Sequence, residues 1–229
     1  MEMEYSPYYP YEKVQTGYLT MQGTEEIPYQ IIQYLLDLPD ATGYAPTNDN
    51  TRPRVRLAKY LWYDGPRPLS NPLPTAQEKL SLLFDGDNPV LNTGEQKAAH
   101  PKGYRLYPQK YWGYSQLGAQ TTLKCYVGRT IPLSPYTSSI GITFEILCNS
   151  NQENTTRTSA YSRAYDIEQC IVEALHGVNM TGIGVIDFSR QAHIDNGSTP
   201  IADEGTNVGR RLKLSVYWAE SGEPEPQVY

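Results

Sequence analysis

The chain has 229 residues and a formal net charge of −6, from 19 lysines and arginines against 25 aspartates and glutamates. Since binding to nucleic-acid phosphates needs clustered Lys and Arg, this balance argues against a general nucleic-acid binder. The length suffices for one domain with additions and a real core. Twenty tyrosines, 18 prolines and 18 glycines predict much extended and loop structure. Tyrosine gives contact area at low rotamer cost, which favours interfaces over simple filling of sheets.

The cysteines and the chain termini bear on the compartment. Cys125, Cys148 and Cys170 form no CxxC motif and have no histidine at ligand spacing, which predicts reduced, buried thiols in a protein made in the cytosol. The start, "MEMEYSPYYPYEK", is acidic and lacks the apolar stretch of a secretion signal. No run approaches the ~18 apolar residues of a membrane span. We therefore expect neither secretion nor membrane insertion.

The first third of the chain begins with an extended segment and a helix. Residues 1–18 place tyrosines among prolines, which predicts an arm lying on another surface, or alternatively a floppy tail. Thr24 then offers a helix cap before an acidic first turn, and Pro28 falls in that turn. The apolar stripe of this predicted helix is Ile27, Ile31, Ile32, Leu35 and Leu36.

The next part reads as a strand followed by long loops. Alternation in "RVRLAKYLWY" predicts a strand over 54–63, and Thr75 with Glu78 forms a capping-box pattern for a short helix. The stretch "DGDNPVLNTGEQKAAHPKG" predicts a long loop that could touch a neighbouring molecule. Together these features predict a long insertion around 64–118, whose last part is rich in aromatic residues.

The second half is more regular. Strands are predicted over "TTLKCYVG" and 140–148, and a polar segment over 149–158 leads to a helix over 159–176. Two more strands follow, at 182–190 and over "GRRLKLSVYWAES". This order predicts an α+β domain, with an antiparallel sheet covered by one main amphipathic helix, N-terminal helices, long loops and extended terminal arms. We expect a single domain over 19–220 between the arm and a flexible C-terminus at 221–229.

A search for chemistry finds no motif that requires an enzyme. Of the three histidines, His193 is the most site-like because Asp195 follows it, yet no third ligand or nucleophile has a defined relation to the pair. His176 lies near the end of the predicted helix, where a cation suits the helix dipole. The acidic "FDGDNP" lacks the remaining ligands of a calcium loop. The sequence predicts no enzyme, no cofactor and no metal site.

The layout resembles a family of virion proteins. Over about residues 105–219 the quoted strands, the helix in "ITFEILCNSNQENTTRTSAYSRAYDIEQCIVEALHG" and the closing strands "GVIDFSR" and "RRLKLSVYWAES" are similar to tail-terminator and head–tail connector proteins of tailed bacteriophages. The resemblance is one of pattern and covers about half the chain. The arm, the first-half insertions and the aromatic segment 101–118 depart from it, which marks an elaborated member.

The resemblance implies a structural role in the virion, assembled in the host cytoplasm. Such proteins form closed rings that cap the tail tube or join it to the portal, through heterologous contacts that close. The implied partners are further copies of the chain, neighbouring virion proteins (tail tube, portal or another connector) and genome DNA that passes through the lumen without specific binding. No membrane is implied. Two alternatives stay open: another virion component, such as a baseplate or capsid-associated protein, and a carbohydrate- or host-binding module.

The predicted contacts with neighbouring subunits or partners come from the arm, the aromatic segment and the polar segment. They are Tyr5, Tyr8, Tyr9, Tyr11, Tyr111, Trp112, Tyr114, Asn151 and Arg157.

Overall fold

A computed structural model gives the architecture of most of the chain. Its helices and strands form one α+β arrangement, which confirms the predicted fold class. The predicted arm over 1–18 and the C-terminus over 221–229 lie outside the described residues. The residues that the structure describes are 24–84, 86, 91, 93–109, 120–134, 137–149, 162–180, 183–188, 197–202 and 207–219.

Helix α1 spans Ile27–Leu36 and follows a 3₁₀ turn over Thr24–Glu26. All five residues of its predicted apolar stripe are buried. The N-cap position falls at Glu26, so Thr24 is not the cap of this helix, although Pro28 lies in the first turn as predicted. The helix ends where Asp37 adopts a left-handed backbone conformation (φ 52°).

Residues 54–63 do not form the predicted strand. They belong to helix α2, Pro53–Trp62, which begins with Pro53 in the first turn after an extended Arg52. The ring of a first-turn proline fixes a φ angle that suits a helix, and the missing N–H is one that a helix start leaves unpaired in any case. Residues on several sides of α2 are buried, which conceals the helical period: Val55, Leu57, Ala58, Lys59, Tyr60, Leu61 and Trp62.

The region after α2 contains more structure than the loops predicted there. Helix α3, Ala76–Leu80, starts with the predicted capping box, in which Thr75 N–H donates to Glu78 Oε2 (2.7 Å). The predicted long loop contains a second short helix, α4, Gly94–Ala99, with its own capping box at Thr93 and Gln96. A short strand, β1, Leu106–Tyr107, then joins the sheet.

Seven strands form the sheet, counted among the described residues. The central strand β3 pairs antiparallel with β2 on one side and with β7 on the other. Strand β1 runs parallel to β2, while β5 and β6 share the other edge of β7, and β4 pairs with β5. The bounds are β2 Thr121–Ser134, β3 Thr137–Asn149, β4 Asn179–Met180, β5 Gly184–Asp187, β6 Gly197–Ala202 and β7 Asn207–Ala219.

Helix α5, Arg163–Leu175, supplies the predicted cover of the sheet. Ser162 caps its start, and Gly177 follows its end with a positive φ of 77°, the conformation that favours glycine there. One hydrophobic core joins α1, α2 and α5 to β2, β3 and β7, so three helices rather than one contribute to this layer. Two residues of β3 and two of α5 are fully buried where the strand and the helix share this core: Phe144, Ile146, Ile167 and Ile171.

Candidate interaction cleft

None of the predicted contact residues lies in the part of the chain that the structure describes. The contacts that we predicted in the arm, the aromatic segment and the polar segment therefore stay predictions. His193 and Asp195 also lie outside it. What the structure does place is a set of paired charges and one open apolar cleft.

Two local clusters of arginine, at residues 52–56 and 210–211, form contacts within the molecule. Ion pairs and hydrogen bonds to acidic or hydroxyl groups reduce what these side chains can offer to a phosphate. The pairs are Arg52 with the hydroxyl of Tyr44, Arg54 with Asp37, Arg56 with Glu173, Arg210 with Glu168 and Arg211 with Glu145.

Four further cations are buried and bind backbone carbonyls or loop amides. Lys79 Nζ donates to the carbonyl oxygen of Asp37 (2.8 Å), just after the end of α1, and burial lowers the pKa of Lys79. Lys59 Nζ donates to Asn50 Oδ1 (2.7 Å) and so ties a loop to α2. Arg105 and Arg163 donate hydrogen bonds to backbone carbonyls at the end of α2. These contacts hold elements together, which is a structural use of charge.

The other titratable groups that the structure describes also have structural surroundings. His176 is the C-cap of α5, and its Nδ1 accepts a hydrogen bond from the backbone N–H of Phe188 (3.1 Å). The three cysteines are buried and free of disulfides, as predicted, and burial raises the pKa of Cys170 to about 12. Within the described ranges, no group of three or more His, Cys, Asp or Glu side chains could hold a metal ion.

An open cleft of about 340 Å³ lies between α1, α3 and the segment that leads into β1. We call it the aromatic cleft. Its walls expose two large apolar side chains, Tyr29 (44% exposed) and Leu80 (45% exposed). Its lining is Tyr29, Leu80, Leu83, Phe84, Gly86, His100, Pro108 and Gln109.

The floor of the aromatic cleft is a cluster of rings. Phe84 meets Tyr104 edge-on, with ring centroids 5.2 Å apart, and lies 5.4 Å from the ring of Tyr107. Main-chain hydrogen bonds fix this floor to the sheet, because Phe84 N–H donates to the carbonyl of Leu106 (2.8 Å) in β1. Edge-on and tilted aromatic pairs add about 0.5–1.5 kcal/mol beyond their area burial, so these ring contacts stabilise the floor within the domain itself.

His100 gives the aromatic cleft an oriented polar group. Its Nδ1 lies 2.7 Å from the carbonyl oxygen of Ser81, and its ring stacks at a tilt on Tyr104 with centroids 4.4 Å apart. Because a carbonyl oxygen can only accept, Nδ1 carries the proton of this bond. In the neutral ring, Nε2 is then the acceptor nitrogen. The cleft can therefore bind an apolar or aromatic group and accept a hydrogen bond from a hydroxyl on it.

The cleft side chains come from positions 29 to 109, so no single motif carries them. The signal available in the sequence was the aromatic segment 101–118, which includes Tyr104 and Tyr107 of the floor. The wall residue Leu80 gives no separate signal, since it continues the short amphipathic helix α3.

The comparisons with known proteins concern the family rather than this cleft. Among the described residues, no helix is long and apolar enough to cross a membrane. No curated protein matches the chain. The model of the YomW family, a phage-associated family of the Bacillus phage SPbeta type, matches residues 55–214, from α2 to β7. Because this match covers well over half of the 229 residues, the chain belongs to the YomW family and is a phage-encoded protein.

Proposed function

We propose that this phage protein is a structural component of the virion. Copies of it form a closed ring at the neck or tail end, and the ring joins or caps head and tail. The role is structural rather than catalytic, and its partners are further copies, adjacent tail-tube, portal or connector proteins, and DNA passing through the lumen. The observation that carries the proposal is the aromatic cleft, a preformed apolar surface on an otherwise well-packed molecule.

The composition of the cleft supports a protein partner. Tyrosine, phenylalanine and other large apolar groups are the side chains that contribute most to binding energy at protein interfaces, and they act from well-packed pockets. Among the described residues, three large apolar side chains are strongly exposed, and two of them, Tyr29 and Leu80, line this cleft. That concentration favours one binding surface over scattered exposure.

The size of the cleft indicates what else the ring needs. A stable interface buries roughly 800 Å² on each partner, which corresponds to about 20–30 residues a side. Eight of the described residues line the cleft. The remaining area must come from other parts of the chain, and the proposal assigns it to extended segments that reach the neighbouring subunit. A ring also needs two different complementary surfaces on each subunit, a cleft and something that fills it.

The charge distribution supports DNA that passes without binding. Arg52, Arg54 and Arg56 have internal partners, as do Arg210 and Arg211, so these clusters are not available as phosphate-binding patches. An acidic chain whose two arginine clusters have internal partners suits a lumen along which DNA slides.

The test is the oligomeric state of the full-length protein. We expect mass photometry to show one large species, and negative-stain class averages to show rings. Leu80→Glu places a charge in the cleft and should shift the population toward monomer by at least about tenfold in dissociation constant, since burying a leucine contributes about 1.5–3 kcal/mol. The matched control is Val185→Glu, which charges an equally exposed side chain (46%) on β5, outside the cleft.

A second candidate follows from the same rings. Tyr29, which is 44% exposed in the cleft wall, could serve as a stacking platform for a sugar, which fits a carbohydrate- or host-binding module. A persistent monomer that binds glycans, and loses that binding in Leu80→Glu but not in Val185→Glu, would overturn the ring proposal in favour of this one.

A further inference from the structure

The occupant of the aromatic cleft can be specified from the sequence outside the described residues. The described chain begins at Thr24, in the turn that leads directly into α1, and Tyr29 of the cleft wall lies five positions later. The preceding segment contains "YSPYYPY", residues 5–11. Its chemistry and its spacing both match the cleft.

The spacing of this segment is that of a polyproline II helix. Such a helix has three residues per turn and rises about 3.1 Å per residue. Tyr5, Tyr8 and Tyr11 recur every third position, so in this conformation they would form one row with a repeat of roughly 9 Å. Pro7 and Pro10 share the same period on another side. The remaining tyrosine, Tyr9, lies off the row.

Grooves lined by aromatic side chains are the surfaces that recognise polyproline II segments, because the ligand needs little ordering on binding. The aromatic cleft has that lining: the rings of Tyr29, Phe84 and His100 with Pro108 beside them. The acceptor nitrogen of His100 offers a partner to a tyrosine hydroxyl. We propose that the tyrosine row of residues 5–11 from a neighbouring copy docks in the aromatic cleft, an inference that rests on the proposed self-assembly.

The intervening chain is long enough for exchange between copies. Twelve residues, 12–23, separate the row from Thr24. In an extended conformation they span roughly 37 Å, about twice the ~17 Å radius of gyration expected for a 229-residue domain. A segment tethered at that distance reaches across to an adjacent subunit, and each subunit then carries both halves of a heterologous contact.

The experiment uses photo-crosslinking in the full chain. A photoreactive benzoylphenylalanine replaces Tyr8 at the centre of the row or, as the matched control, Tyr9 beside it. Light and heavy isotope-labelled chains are mixed, irradiated and analysed by peptide mass spectrometry. For the Tyr8 probe we expect crosslinks between light and heavy chains that map to residues 80–84 or 100–109. We expect the yield to fall about tenfold for the Tyr9 probe, because its side chain points away from the row.

The variants of the cleft complete the test. Leu80→Glu should reduce the crosslink of the Tyr8 probe about tenfold, while Val185→Glu leaves it unchanged. Crosslinks confined to one chain, crosslinks elsewhere on the partner, or equal yields from the two probes would each overturn the docking proposal. Oligomeric rings without a crosslink in the cleft would overturn it and leave the proposed function standing. A monomer in mass photometry would overturn both.

Discussion

At the scale of single residues, Arg163 shows how this fold uses buried charge. The side chain is fully buried, and its guanidinium donates to the backbone carbonyls of Tyr60 (2.5 Å) and Tyr63 at the end of α2. Arg105 adds a bond to the carbonyl of Leu61 (2.7 Å). The last carbonyls of a helix lack intrahelical partners and carry partial negative charge. Two cations at this position both donate hydrogen bonds to these carbonyls and compensate their charge. The end of α2 is thereby fixed to α5.

Arg163→Met tests this role. The variant leaves buried carbonyls without partners, and each unsatisfied group costs about 1–3 kcal/mol, so we expect the free energy of unfolding to fall by about 3 kcal/mol. Urea denaturation followed by circular dichroism measures it. The control is Arg129→Met at an exposed position of β2, which should change stability by less than about 0.5 kcal/mol. A loss of similar size in both variants would contradict the proposed role of Arg163.

Tyr60 makes a prediction about alkaline pH. Burial raises the pKa of Tyr60. The carboxylate of Asp166, which accepts a hydrogen bond from the Tyr60 hydroxyl (2.9 Å), raises this pKa further. The ordinary value of 10.0 applies in the unfolded chain. The stabilisation linked to this group is thus complete below pH 10 and is lost as pH rises through the higher folded-state value.

Tyr60→Phe should therefore lower stability at pH 8 and weaken the dependence of stability on pH above 10. At pH 8 we expect a loss of about 1 kcal/mol from the missing hydrogen bond. Above pH 10 the variant should lose stability less steeply than the parent, because it has no buried phenol to ionise. Urea melts from pH 8 to 11 give both quantities, with exposed Tyr29→Phe as the control. Parallel stability curves for the parent and Tyr60→Phe would refute the assignment.

At the scale of elements, the sequence predicts best where one face is buried and the other is not. Helix α1 and the central strands carry clear periods, and their buried sets match the structure: Ile27, Ile31 and Leu35 in α1, and Leu212 and Leu214 in β7. In each of these elements one face is buried and the other is not, so the apolar residues recur at the period of a helix or of a strand.

The prediction for the α2 segment was wrong for the opposite reason, because α2 is buried on several sides. It packs against the core and also buries Lys59, whose charge is satisfied by Asn50 and by the carbonyl of Leu69. A lysine at a core position breaks the 3.6-residue pattern, and what remains imitates the alternation of a strand. The strand β6, in a predicted loop, was missed because it is largely exposed and contains Pro200. Its pairing with β7 depends on neighbours far away in sequence.

Strand β7 gives a prediction about sheet packing. A β-carbon at Gly209 would overlap the carbonyl oxygen of Ile146 and lie 2.9 Å from its carbon. Gly209→Ala should therefore force β3 and β7 apart, with a loss of about 3 kcal/mol or more. Gly94→Ala is the control, since the first residue of α4 has open space around it and alanine favours helix. Thermal melting that is equal for the two variants would rule out the close approach at Gly209.

At the scale of the whole molecule, the sequence indicated the Tyr/Pro segment of the proposed contact but not the aromatic cleft. The Tyr/Pro segment is continuous and therefore visible in the sequence. The aromatic cleft is assembled from Tyr29 on α1, Leu80 on α3 and Phe84 and His100 further along. Only the pairing of residues 82–84 with β1, and of β1 with β2, brings these side chains together. A surface of this kind needs the fold before it can be found.

Deletion of residues 1–18 tests whether assembly depends on that segment. We expect circular dichroism and the melting temperature to remain those of the full chain, because the core joins α1, α2 and α5 to the sheet from Ile27 onward. We expect the dissociation constant of the oligomer to rise by about thirtyfold or more, since a buried aromatic anchor contributes at least about 2 kcal/mol. Deletion of residues 221–229, the other terminal segment, which has one tyrosine where residues 1–18 have five, is the control and should leave assembly intact. If both truncated proteins assemble like the parent, the segment is a tail without a role in assembly. If only the first loses assembly while its fold survives, the contact between subunits resides in the arm and not in the packed domain alone.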